Sequence, residues 1–228
     1  LKPEDRMDQH EFDAIKPFSR DTTYGPRFFK FCELDHGWSN GLFGDILYWM
    51  FRPSSVVEFG SGTGGTLAAL HHKGVQVLGL DVSADSIPFV QRHSPEVAAK
   101  ILVHDLSKPW NPPHPFDLAV SIETLEHVAP EGADTVVHTI SISAPIAVVT
   151  ACPPTYREVP NTLHVNEQPF DYWVTKFAQQ GMYLDTGTTQ VLRTVMRAFN
   201  NLNALKGCPI VPAWYFSANI GVFKKGSK

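Results

Sequence analysis

Cysteine is scarce in this chain: Cys32, Cys152 and Cys208 are odd in number and far apart, with no CxxC pair. That spacing fits a reducing, cytoplasmic compartment and buried or incidental thiols better than a disulfide framework or a zinc site. Positive charge is not in excess either. Nineteen Lys and Arg against 23 Asp and Glu leave a net charge of −4 and a pI near 6.2. A protein that binds by neutralising phosphates is usually basic, so nucleic acid is disfavoured as a partner. Long apolar runs are missing as well. The longest uncharged stretch, Thr135 to Tyr156, is broken by Pro145, Pro153 and Pro154. It reads as helix end, turn, strand and loop, and not as a membrane span. The opening L-K-P-E-D-R-M-D-Q-H is too polar for a signal peptide.

What is present is a globular pattern. At 228 residues the chain suffices for one well-buried core and is short for two. Residues 1–30 carry no clear periodicity. From Ser39 onward, apolar residues at Leu42, Ile46, Trp49 and Met50 predict a buried helix, with Ser39 or Asn40 as N-cap. Short apolar runs then alternate with helical segments. Strands are predicted at Ser55–Phe59, Val75–Leu80, Lys100–Val103, Phe116–Ile122 and Ile146–Thr150. Helices are predicted at Thr66–Lys73, Ala84–His93 and Gly132–Ser143. Such alternation implies a parallel sheet covered on both faces. Beyond Pro153 a long loop leads to a helix at Gln168–Gln180, a short strand at Met182–Asp185 and a helical stripe over Val191–Leu202. The Arg193/Arg197 pair marks a solvated face of that stripe, and Tyr215–Phe223 alternates like a closing strand.

The strongest motif is V-V-E-F-G-S-G-T-G-G, residues 56–65, where a strand runs directly into Gly60, Gly62 and Gly64 ahead of a helix. Glycine lets the chain turn sharply and brings its amides close to a ligand, and the helix start presents unpaired N–H groups. Gly60, Gly62 and Gly65 also satisfy G-x-G-x-x-G. Nicotinamide binding, binding of S-adenosylmethionine (SAM) and a plain tight turn therefore all stay open at this point. Asp81 ends the second strand, where a carboxylate can accept both hydrogen bonds of a ribose diol or cap the next helix. Asp105 ends the third, placed for an adenine amino group or for an ordinary turn.

Four segments together resemble the class I SAM-dependent methyltransferases. They are E-F-G-S-G-T-G (58–64), G-L-D-V-S (79–83), V-H-D-L (103–106) and F-D-L-A-V-S-I-E-T-L-E-H-V (116–128), in that family's order and spacing over about residues 54–151. The resemblance implies a three-layer α/β Rossmann-like fold with a mostly parallel seven-stranded sheet and an antiparallel C-terminal strand. It implies one domain: a lead-in or lid (1–53), a SAM-binding core (54–151) and a substrate-side, sheet-completing part (152–228). By the same resemblance Glu58 holds the methionine end of SAM in the turn formed by Gly60, Ser61, Gly62, Thr63 and Gly64. Asp81 takes the ribose with Val82 beside it, Asp105 and Leu106 flank the adenine, and Ile122 faces the sulfonium. Trp38 covers SAM from the segment before the first strand.

Glu123, Glu126 and His127 lie within five residues after the fourth strand. If a helical turn follows that strand, all three share one face. His164, in T-L-H-V-N-E (162–167), follows the fifth strand and is placed to reach the same cleft. Two carboxylates and two imidazoles suit a divalent ion that lowers a hydroxyl pKa. His127 or His164 is equally suited to act as a metal-free base, with Glu123 in the catalytic set. The arrangement resembles the E-x-L-E-H O-methyltransferases of the ubiquinone pathway and, less closely, the small-RNA 2′-O-methyltransferases, whose H-x-H spacing is absent. The expected acceptor is a hydroxylated small molecule. RNA or protein methylation and a non-catalytic SAM-binding subunit stand as alternatives. Tyr24, Phe28, Trp38, Tyr156, Arg157, Trp173, Trp214 and Tyr215 are the substrate-side candidates, most of them equally readable as core or lid residues, and Phe170 and Trp173 read more simply as sheet-packing residues.

Overall fold

The computed structural model describes residues 24–154, 163–205 and 219–226. Its first element, α1 (Pro26–Phe51), opens with proline in the first turn and ends where Arg52 takes a left-handed conformation. The helix therefore begins thirteen residues before the Ser39 start that periodicity suggested. Fixed φ and a missing N–H suit proline to a helix start, and Phe29 is already fully buried one turn in.

β1 (Ser55–Phe59), α2 (Gly65–His71) and β2 (Gln76–Asp81) follow as the alternation implied. The stretch read as one helix from Ala84 is a 3-10 turn, Ala84–Ser86, leading into α3 (Ile87–His93). Pro95 then starts a separate short helix, α4 (Pro95–Ala98). β3 (Ile101–Val103), β4 (Leu118–Ser121), α5 (Ala133–Ser143) and β5 (Ile146–Val149) complete the alternating part. The chain ends with α6 (Phe170–Gln179), β6 (Met182–Leu184), α7 (Thr186–Leu205) and β7 (Gly221–Lys225). Residues 215–218 of the expected last strand lie outside the described residues, as do Tyr156, Arg157 and Trp214.

The seven strands order as β3-β2-β1-β4-β5-β7-β6. All neighbours are parallel up to β5, and β7 runs antiparallel to both β5 and β6. Successive residues point to opposite sides, as the pleat requires. Val56 joins Leu47, Leu67, Val120, Val148, Leu192 and Val222 on the face covered by α1, α2 and α7. Val57 joins Ala119, Val137, Ile140, Ala147, Trp173 and Phe177 under α5 and α6. Trp173 is thus a core residue, not a pocket residue, and burying a side chain of that kind contributes at least about 2 kcal/mol.

Arg193 departs from the solvated-face expectation. Its Nε donates to the Ile220 carbonyl at 2.9 Å, and its guanidinium lies 5.3 Å from the Phe170 ring centroid. Two aromatic and backbone partners on neighbouring elements outcompete water for it, while Arg197 is exposed. Among the described residues no helix is long and apolar enough to cross a membrane.

The strand order reverses direction between β1 and β4, because β2 and β3 add on one side and β5 on the other. In open α/β sheets, ligands bind outside the carboxyl ends of the strands at such a switch point.

Candidate active site

At the end of β1 the chain turns through Gly60, Gly62 and Gly64, all with positive φ. A Cβ on Gly60 would lie 2.3 Å from the Thr124 hydroxyl, so this glycine lets the turn press against the segment after β4. Gly62 is different: no described residue lies within 4 Å of a Cβ built there. Ser61 and Thr63 between them are buried. The amides of Gly60 and Ser61 donate to the Leu80 carbonyl, which ties the turn to the end of β2.

Asp81 strengthens that tie. Its Oδ2 accepts from the Gly62 amide at 2.8 Å and its Oδ1 from the Ser83 amide at 3.0 Å. Burial raises its carboxyl pKa, and these amide bonds oppose the rise. Glu58, on β1 beneath the turn, is buried, and its Oε2 has no hydrogen-bond partner among the described residues. Burial pushes its carboxyl up to about 8, with Asp81 adding to the rise and Thr66 opposing it.

The remaining cofactor-side residues are less uniform. Asp105 is exposed, and its Oδ1 accepts from the Ser107 amide at 2.9 Å; hydrogen bonds from Ser107 lower its pKa. Leu106 belongs to the core under α5. Val82 is exposed, and Ile122 packs partly buried against the opposite core face. Trp38 lies within α1, its side chain outside the described set.

Across the switch point, the segment after β4 is not the regular helical turn that spacing suggested. Glu123 has φ 47° and its amide donates to the Thr150 hydroxyl at 2.8 Å, so helical structure starts only with the 3-10 turn Leu125–His127. Glu123, Glu126 and His127 therefore do not share a helix face. What brings them near His164 is a tertiary splice: the amides of Val165 and Asn166 donate to the Glu126 carbonyl at 3.0 and 2.9 Å.

Glu126 is fully buried, and neither carboxylate oxygen makes a well-formed hydrogen bond among the described residues. Burial, and next the Glu123 carboxylate, hold its pKa well above the ordinary range. His127 Nδ1 lies 2.9 Å from the Leu163 carbonyl, which makes it the protonated nitrogen, and its ring meets His164 edge-on at 4.7 Å. Burial and then the neighbouring His164 push the His127 pKa down to about 4. His164 Nδ1 stands 2.6 Å from Glu167 Oε1.

Two residues tie this corner to others that motif reading did not connect with it. Cys152, three residues past the end of β5, joins Glu126 and His164 in a group whose ligand atoms all lie within 4.8 Å of one another. Among the described residues Glu123 and His127 do not enter that group. The available signal was positional: Cys152 follows a strand whose end faces the cleft. Tyr24 is half-buried before α1; its carbonyl accepts from the Ser83 hydroxyl at 2.8 Å, and its ring stands edge-on to Phe28 and His127. Burial, then Glu126 and Asp81, raise its phenol pKa.

Residues 56–142 match the family described as a methyltransferase domain. That segment holds the glycine turn, Asp81 and the turn after β4, and it is similar to a methyltransferase domain. Solved structures resemble this chain in fold. An O-methyltransferase family protein from Burkholderia thailandensis superposes with a TM-score of 0.58 at 15% identity, over 73% of this chain and 57% of that one. Magnesium protoporphyrin IX methyltransferase from Synechocystis PCC 6803, with bound S-adenosylhomocysteine, gives 0.54 at 17% over 77% and 86%. The [4+2]-cyclase SpnF gives 0.53 at 15% over 82% and 81%. This chain thus spans 57% of the Burkholderia protein's length. A cyclase among such neighbours illustrates that this architecture does not dictate the reaction. No curated protein sequence matches.

Proposed function

We propose that the chain, folded as one domain across 1–53, 54–151 and 152–228, transfers the SAM methyl group to a hydroxyl oxygen of a small molecule. One observation carries this reading: buried carboxylates stand at the strand ends on both sides of the switch point, Glu58 and Asp81 with the glycine turn and Glu126 with His127 and His164, and Tyr24 touches Ser83 on one side and His127 on the other. The fit to SAM rests on Gly62, where no described residue would meet a Cβ, and on the unpartnered Oε2 of Glu58. SAM supplies an activated methyl on a positive sulfur, so the protein mainly has to align the nucleophile.

Glu58 takes the ammonium of the methionine end, and the backbone of residues 60–64 curves around it. Asp81 retains a lone pair on each oxygen for the ribose hydroxyls, with Val82, Asp105 and Leu106 around the base. Ile122 and Trp38 line the sulfonium side and the cover. At the opposite corner Glu123, His127 and His164 handle the acceptor. His127, with its pKa near 4, is a weak base at neutral pH and suits orientation through its free Nε2. His164, whose Nδ1 meets Glu167, has its Nε2 lone pair for the acceptor's proton only when no ion holds that nitrogen. Divalent-metal assistance belongs to the same corner, where the Glu126 and Glu123 carboxyls stand together in a buried setting. Small-molecule acceptors are supported by the O-methyltransferase and porphyrin methyltransferase neighbours and by the acidic balance of the chain.

Calorimetry with SAM and S-adenosylhomocysteine, followed by a labelled-methyl screen over phenols, catechols, amines, thiols and RNA, tests the reading. Saturable SAM binding with label entering hydroxyl compounds is expected. No SAM affinity overturns the cofactor assignment, and label entering only amines, thiols or RNA overturns the acceptor.

A further inference from the structure

We propose that Glu126, Cys152 and His164 form a three-ligand site for a borderline-soft divalent ion, zinc foremost, with Glu167 orienting His164. The ligands come from the turn after β4, the end of β5 and the loop before α6, three segments that meet only in the fold. Their ligand atoms lie within 4.8 Å of one another. A tetrahedral zinc ion with bonds of about 2.0–2.3 Å spaces its ligands by about 3.3–3.8 Å, so side-chain rotations have at most about 1–1.5 Å to close.

An independent observation points to a cation. Glu126 is completely buried, neither carboxylate oxygen makes a well-formed hydrogen bond among the described residues, and the Glu123 carboxylate beside it adds negative charge. A carboxylate in that position is costly unless something positive or protic meets it. A bound ion does so directly.

The surroundings are organised for ligation. Glu167 Oε1 lies 2.6 Å from His164 Nδ1, which keeps the proton there and leaves Nε2 as donor to the ion; metal-bound histidines usually carry such an outer carboxylate. The Val165 and Asn166 amides on the Glu126 carbonyl hold the His164 loop against the Glu126 turn. His127 stays outside, its Nδ1 committed to the Leu163 carbonyl. One carboxylate, one imidazole and one thiolate select against magnesium and calcium, which prefer all-oxygen shells, and in favour of zinc, cobalt or iron. As the metal–sulfur bond forms, the thiol proton passes to solvent. Three protein ligands leave a fourth position for an acceptor oxygen. Only that last use rests on the proposed function; binding of the ion does not.

The test uses the whole purified chain, stripped with a chelator and titrated with Co²⁺, then with Zn²⁺ in competition. A near-ultraviolet thiolate-to-cobalt band at one equivalent is expected, lost on adding Zn²⁺. Cys152→Ser should abolish the band while Cys32→Ser retains it. Glu167→Gln should weaken Zn²⁺ binding by about 10- to 100-fold. Absence of the band from the unmodified chain, its survival in folded Cys152→Ser protein, or Mg²⁺ competing as well as Zn²⁺ overturns the proposal. Circular dichroism identifies folded variants, and the unmodified chain alone decides should a variant unfold. Calorimetry with SAM on the same samples separates the two readings. SAM binding without the band overturns the zinc site alone, and the band without SAM binding overturns the methyltransfer reading alone.

Discussion

The two sides of the cleft are built by different means. On the β1–β2 side, the glycine turn and Asp81 are joined by backbone amides, and the chemistry sits in contiguous segments at the ends of adjacent parallel strands. On the β4–β5 side, Glu126, Cys152 and His164 converge from separate segments, and a loop before α6 closes the corner through two amides on one carbonyl. The first side depends on local backbone geometry, so its residue types are dictated by conformation. The second depends on long-range packing, so its residues carry weak local signatures and can change chemistry without changing the fold.

The sharpest way to break the first side is Gly60→Val. A β-branched residue at positive φ, pressed into Thr124, is expected to cost about 3 kcal/mol or more in urea denaturation. Asp81→Ala should follow, weakening SAM binding by calorimetry about 100-fold through loss of two charge-assisted bonds. On the second side Glu126→Gln should reverse the pattern. Methyl transfer falls by about 100-fold or more while SAM affinity stays within about threefold and stability holds or rises. If Glu126→Gln instead abolishes SAM binding, the two sides are not separable.

The pH dependence sharpens the same contrast. Folded Glu58 keeps its proton up to about pH 8, whereas an unfolded glutamate loses it near 4.5. The folded state then holds more protons across that window, and stability falls as pH rises from 4.5 to 8. Glu126, raised for the same reason, adds to this alkaline loss. His127 acts oppositely: unfolded it takes a proton below 6.5, folded only below about 4, so stability falls as pH drops from 6.5 to 4. Urea midpoints from pH 4 to 9 should show both limbs, each group contributing at most about 1.4 kcal/mol per pH unit. Glu58→Gln and Glu126→Gln should each flatten the alkaline limb only. Smallest is a control outside both sides. Arg193→Ala should cost about 1–2 kcal/mol through the lost Ile220 bond, and Arg197→Ala no more than about 0.5.

Much of the first side was legible because its constraints are local. Three glycines at fixed spacing, strands of period two and an acidic residue at a strand end are all visible along the chain. The start of α1 was not, since residues before Ser39 bury single aromatics such as Phe29 without a repeating stripe. Glu123 escaped because a positive φ in a non-glycine residue is imposed by its contacts, here the Thr150 hydroxyl, and leaves no mark in residue type. Arg193 looked solvated because its partners, Ile220 and Phe170, stand more than twenty residues away on either side.

The amino-acid order by itself determined the alternating strands and helices, the backbone turn at residues 60–64 and the carboxylates that flank it, because hydrophobic period and glycine freedom act between near neighbours. Only the tertiary structure decided that Cys152 stands beside Glu126 and His164 and that Tyr24 touches Ser83 and His127 at once. Those proximities are set by the order in which strands pair and by where two loops are hydrogen-bonded together. Pairing of that kind is an outcome of packing the whole sheet, and no short stretch of the chain encodes it.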